Sequence, residues 1–229
     1  MRRHAIALSA LLFTSTAGAQ VSGSAVLLSD YRFRGVSLSD GQPAVQLSAA
    51  YDGNAGWYAG MLAASVRPDG RTRAQVLAYV GIARPLRDGL DWDAGVEYST
   101  IAGDMAYRYG EFYVGLTSDR SSLRLYYAHH YFGQRTPVLY AALDRTWPLT
   151  ERLHLLAHLG LLRREGPIDY DSGRYRTDAR LGLGLDWRGY ELQLAWTVAR
   201  GSQEPYPFDD SNDGRPARQA WVLSCSRSW

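Results

Sequence analysis

The sequence contains no lysine: all 25 of its basic side chains are arginines, a bias we attribute to genome composition before function. It holds one cysteine, Cys225, which excludes an intramolecular disulfide. Small exported domains short of core often depend on disulfides, so this chain is stabilised in another way. The formal net charge is only +2, which gives no electrostatic case for nucleic acid or for a polybasic membrane contact. Beyond the N-terminal twenty residues no apolar run is long enough for a transmembrane helix. If the chain crosses a bilayer, a closed barrel is the remaining solution, because hydrocarbon offers unpaired backbone groups no partner.

What the N-terminus does have is an export pattern. Arg2, Arg3 and His4 form a basic start, and Ala5 to Phe13 an apolar stretch too short to span. Ala17-Gly18-Ala19 supplies the small residues a signal peptidase reads. The expectation is a cleaved signal peptide over residues 1–19 and a single domain over 20–229, placed in the outer membrane of a bacterium.

Alternation with period two dominates that domain. Leu90 to Ser99, Ala179 to Trp187 and Glu191 to Val198 alternate apolar with polar or small residues, which a strand sends to opposite faces. This predicts an all-β, up-and-down antiparallel transmembrane barrel of about twelve strands, each roughly ten residues long. The strands are expected near 24–34, 43–52, 56–67, 74–84, 89–100, 109–118, 122–132, 137–147, 153–163, 176–187, 190–200 and 218–229. Asp52-Gly53-Asn54, Pro68-Asp69-Gly70, Asp88-Gly89 and Arg188-Gly189 mark turns. Tight turns alternate with longer connections, the asymmetry of transmembrane barrels, which puts both termini on the periplasmic side.

Tryptophan adds a second signal. Trp57, Trp92, Trp147, Trp187 and Trp229 fall beside the tight turns or at the C-terminus, where an interfacial girdle belongs. Trp196 and Trp221, with Tyr31, Phe33, Tyr98 and Tyr131, are expected to form a second girdle. A secreted soluble β-sandwich or lipocalin-like barrel also alternates, but aromatic rims at strand ends disfavour it.

The stretch Ser29-Asp30-Tyr31-Arg32-Phe33-Arg34-Gly35-Val36-Ser37, followed by Gln42-Pro43-Ala44-Val45-Gln46, resembles the opening of the TorF-like porin family. Leu125-Tyr126-Tyr127 before His130-Tyr131-Phe132, and the hairpin around Trp187 to Leu192, extend the likeness. The resemblance implies an outer-membrane barrel with a channel role. Gln75-Val76-Leu77 and Ile101-Ala102-Gly103 depart from that family's pattern. The terminal Trp229 resembles the aromatic presented to the barrel-assembly machinery, although Arg227 breaks the alternation before it.

If the leucines face outward, Asp30, Arg32, Asp91, Asp93, Glu97, Glu111, Arg124, Asp144, Asp178, Arg180, Asp186 and Glu191 face inward. An arginine in lipid near the midplane costs about 2–4 kcal/mol. Of these, Asp30, Arg32, Glu97, Glu111, Arg124, Asp178 and Arg180 are the expected pore lining of a porin-like channel for small polar solutes or ions. Asp30, Arg32 and Arg34 sharing one face of the first strand suggest a constriction or clamp. Gly95, Gly182 and Gly184 are expected to widen the lumen. The alternatives are a plugged barrel with a structural or adhesive role and, third, a lipid-modifying barrel enzyme.

Catalysis has little to stand on. No His-x-Ser pair shares a strand face, and no G-x-S-x-G elbow occurs; a constellation of His130 with Ser99 from distant strands is the remaining candidate. His129 and His130 point to opposite faces, and His154 and His158 share a face without Cys, Asp or Glu at ligand spacing, so neither metal nor cofactor is expected. Tyr206, Phe208, Asp209, Asp210 and Asp213 in the long final loop are candidates to bind a partner or a cation.

Overall fold

The computed structural model describes residues 20–165, 173–201 and 219–229. The expected signal peptide over 1–19 and the final-loop candidates from Tyr206 to Asp213 lie outside them. The strands are β1 (Gln20–Leu28), β2 (Arg32–Phe33), β3 (Val36–Ser37), β4 (Ala44–Asp52), β5 (Trp57–Val66), β6 (Arg73–Arg87) and β7 (Leu90–Ile101). They continue as β8 (Asp104–Ser118), β9 (Ser121–Ala128), β10 (Val138–Pro148), β11 (Leu153–Arg164), β12 (Tyr175–Trp187), β13 (Tyr190–Gly201) and β14 (Gln219–Ser228). All but β2 and β3 close into one twelve-stranded barrel in chain order, and β1 seals it by pairing with both β4 and β14.

Alternation is what makes this wall possible. On β8, Phe112 is 67% exposed while its neighbours Glu111 and Tyr113 are buried. Across the ladder, Leu183 pairs with Leu194 and Leu181 with Trp196, so outward apolar side chains stack strand by strand. An apolar belt of this extent drives association in water, whereas in hydrocarbon it is the favoured face of a barrel.

The turns follow from their residues. Arg188 and Gly189 both have positive φ (50° and 83°), the two-residue turn whose twist matches that of the flanking strands. At this end the connections are short, and the C-terminus joins it: Trp229 and Gly23 exchange two backbone hydrogen bonds of 3.0 Å. The opposite end carries the longer connections, except for the tight turn between β7 and β8.

Three expected strands run differently, the sixth beginning at Asp104 instead of 109. The first begins at Gln20 and stops at Leu28 instead of running to residue 34, and the seventh stops at Ala128 instead of 132. In both places the chain leaves the wall and turns into the barrel. The resulting core therefore lies inside the long-loop end of the lumen, where Tyr31, Val36, Leu38, Tyr131 and Phe132 pack on Leu62, Val66, Leu77, Ile101, Tyr109 and Val138.

Candidate functional site in the lumen

After β1 the chain folds inward as a hairpin. Ser29 fastens the exit by exchanging two hydrogen bonds with the backbone of Leu223, its amide to the carbonyl at 2.8 Å and its hydroxyl accepting at 2.9 Å. Asp30 then gathers the base: it accepts from Ser37 Oγ at 2.5 Å, from Ser39 Oγ at 3.2 Å and from Arg32 Nη1 at 3.1 Å. Burial holds the Tyr31 phenol above its ordinary titration range, and the Glu97 carboxylate adds to the effect. The turn between β2 and β3 is Arg34-Gly35, both with positive φ (49° and 78°). Its tip packs so closely on β12 and β13 that a Cβ on Gly35 would stand 2.7 Å from the Cβ atoms of Asp178 and Ala199. Beside the tip, Arg34 forms a buried bidentate pair with Glu111 (2.9 and 2.5 Å) and donates to Tyr131 Oη at 2.9 Å.

The wall behind the hairpin carries a row of inward tyrosines. Tyr58 and Tyr113 share a hydrogen bond of 2.8 Å, and Tyr113, Tyr126 and Tyr140 follow one another at ring separations of 5.8 and 6.1 Å. Glycines on neighbouring strands make the sockets: Tyr79 lies over Gly60, Tyr58 over Gly81, Tyr113 over Gly95 and Tyr140 over Gly160. A missing Cβ lets an aromatic ring from the next strand lie against the wall. Gly95, Gly182 and Gly184 therefore do not widen the lumen as expected. Their space is taken by Tyr113, by Ala195 and by His154 respectively.

A cavity of about 210 Å³ remains within the barrel, bounded by the hairpin, β9 to β14 and parts of β6 and β7. Its charged lining is mixed, with Arg32, Arg34, Arg124 and Arg180 set against Asp30, Glu97, Asp144 and Asp178. Most of these are paired. Arg124 donates to Asp93 at 2.8 Å, and His158 bridges Asp144 and Asp178 at 2.8 and 3.0 Å. Arg180 is the loosest, 3.8 Å from Asp144, and its Nε, like that of Arg124, is buried without a hydrogen-bond partner among the described residues. A lumen of this kind can bind small solutes carrying either charge.

Of the candidate lining residues, Glu97, Arg124, Asp178 and Arg180 stand on barrel strands and border the cavity. Asp30 and Arg32 border it too, but from the inserted segment and not from the first strand. Glu111 is buried, and both its carboxylate oxygens accept from Arg34. Trp57, Trp92, Trp147, Trp187 and Trp229 all lie at the short-turn end, on or just beyond β5, β7, β10, β12 and β14. The expected second girdle is corrected in part. Trp196, Trp221 and Tyr98 face outward, whereas Tyr31 and Tyr131 are buried inside and Phe33 packs on the internal core. Parity along a strand says nothing once the chain has left the strand.

The histidines find their partners on other strands. His154 meets Glu191 at 2.9 Å, and Glu191 also accepts from Gln193 at 2.6 Å. Among the described residues no group of His, Cys, Asp and Glu has the arrangement of a metal site. His130 and Ser99 do not form a catalytic pair: Ser99 is buried and accepts from Gln75 at 3.0 Å, while His130 is exposed with its ring against His129.

The model of a family described as a bacterial protein of unknown function (Gcw_chp) matches residues 13–229. The chain belongs to that family. No curated protein matches its sequence. Among solved structures, this Gcw_chp barrel is similar to the NanC porin, with a TM-score of 0.59 and 13% identity, covering 90% of this chain and 98% of that one. It is also similar to the KdgM porin, with a TM-score of 0.55 and 10% identity over 91% of this chain and 99% of that one. At such identities the likeness is one of fold: a closed twelve-stranded barrel of the porin type.

Proposed function

We propose that this Gcw_chp barrel is exported by a signal peptide over residues 1–19, inserts in the bacterial outer membrane and acts as a narrow porin-like channel. The TorF-like opening motif supports the same reading. The observation that carries it is the opposition of the two barrel faces: apolar outside, and inside a charged lumen that keeps a cavity of about 210 Å³. The solutes would be small and polar, or ions, passing along Glu97, Arg124, Asp178 and Arg180 and the inserted Asp30 and Arg32. The tryptophans at the short-turn end would sit in the periplasmic interface, and Trp229 would be presented to the barrel-assembly machinery. Among the described residues, no set in the lumen calls for catalysis.

A second reading follows from one specific observation, the inserted hairpin, which crosses the lumen to pair Arg34 with Glu111 on β8 while its tip packs on Asp178 and Ala199. In that reading the barrel is plugged and structural. Conductance of the refolded protein in a planar lipid bilayer separates the two. Discrete small steps support the channel, and the reversal potential in a salt gradient reports which sign of charge governs it. Insertion of folded barrel without steps refutes the channel and leaves the plug.

A further inference from the structure

The Arg34 guanidinium is surrounded as a bound ligand would be. Glu111 takes both Nη atoms and Tyr131 Oη accepts from one of them. The rings of Tyr140, Phe33, Tyr126 and Tyr131 are centred 4.2, 4.8, 5.0 and 5.3 Å from Cζ. Glu97 stands directly opposite Glu111 in the β7–β8 register and brings a second carboxyl to the same wall. Except for Phe33, every member of this cage belongs to the barrel wall or to the loop after β9. The occupant comes from a separate two-stranded element. The cage is buried but adjoins the lumen cavity, which Arg34, Tyr126, Tyr140 and Glu97 all border.

We propose that the cage is a recognition site for guanidinium-bearing or similarly planar organic cations, which exchange with Arg34. The chemistry is specific. A carboxylate pairs with a planar fork through two parallel hydrogen bonds, and aromatic faces attract a delocalised cation. A compact ammonium satisfies the charge but neither the fork nor the stacking. The adjoining cavity takes the remainder of a small solute. Access to the site in the membrane rests on the channel reading, whereas binding itself does not. A simple latch that only fastens the hairpin would not exchange with free ligand.

The test is calorimetric titration of the refolded full chain in detergent, with agmatine and methylguanidinium as probes and butylamine as the ammonium control. Wild type is expected to show saturable agmatine binding. Arg34→Ala should bind both guanidinium probes about tenfold or more tightly, because the internal competitor has gone. Adding Glu111→Gln to that variant should abolish binding, and butylamine should bind weakly throughout. A folded Arg34→Ala barrel that treats methylguanidinium and butylamine alike overturns the proposal, as does a wild type without saturable agmatine binding. If Arg34→Ala does not fold, the wild-type comparison of agmatine with butylamine decides alone. Binding as expected with no bilayer current removes the channel and keeps the cage; current without binding does the reverse.

Discussion

Gly35 and Gly41 belong to the same inserted segment and both have positive φ, 78° and 64°, so an alanine at either meets the same backbone preference. That preference costs an L-residue roughly 1–2 kcal/mol. The two sites differ in space. A Cβ on Gly41 meets nothing within 4 Å, whereas one on Gly35 stands 2.7 Å from two wall Cβ atoms. Overpacking of this kind adds about 1–3 kcal/mol. Gly35→Ala should therefore disfavour the docked tip by about 2–5 kcal/mol, which is about 30-fold to about 4,000-fold in population at ~1.4 kcal/mol per decade. The barrel itself should stay folded, because Tyr31 and Leu38 remain buried at the hairpin base, the leucine contributing about 1.5–3 kcal/mol. The expected result is larger or more frequent bilayer current for Gly35→Ala than for Gly41→Ala. Trypsin, followed by mass spectrometry, should cut after Arg32 and Arg34 in Gly35→Ala but spare them in wild type. If the two alanine variants conduct alike and resist trypsin alike, the hairpin does not control the lumen and the reasoning fails.

The outward face makes a depth-dependent prediction. Leu183→Arg, in the middle of β12, should lower stability by about 2–4 kcal/mol and Val21→Arg, at the short-turn rim, by about 0–1 kcal/mol, read by denaturant unfolding in vesicles; equal costs would mean that no hydrocarbon surrounds the wall. The glycine sockets make another. Gly95→Ala must displace Tyr113 from its hydrogen bond to Tyr58 and should cost about 1–3 kcal/mol. Gly110→Ala, whose Cβ would meet its nearest atom at an ordinary 3.6 Å, should be neutral or stabilise by roughly 0.5–1 kcal/mol. Trp187 and Trp229 fluorescence should be quenched by lipids brominated near the headgroup more than by lipids brominated deep in the chain, and the opposite order would remove the girdle from the interface.

How much of this was legible in the sequence follows from which rules act locally. Parity acts residue by residue, so Leu181, Leu183 and Leu185 announce the outward face of β12, and Asp178 and Arg180 its inward face, without knowledge of the partners. The turn at Arg188-Gly189 is equally local, since a glycine-containing pair between two alternating runs signals a tight hairpin. The hairpin after β1 was hidden because alternation continues through Asp30, Arg32 and Arg34. A peptide that alternates reads the same whether it extends the wall or folds back as β2 and β3. The one local clue was Arg34-Gly35, a second instance of the same turn signal, placed where the predicted strand should have been straight. The sockets were hidden for a different reason. Gly95 alone signals space, and only the register that sets it beside Tyr113 shows that the space is filled. The inside of a barrel is assembled across strands, so the site depends on pairings that alternation along one strand does not encode. The wall needs only two classes of residue in turn; the lumen needs Arg34 from the first loop to meet Glu111 from β8, two residues separated by most of half the barrel. On the channel reading, specificity resides in the cross-strand contacts of the hairpin, and substitutions there should alter what the lumen admits while leaving the barrel intact.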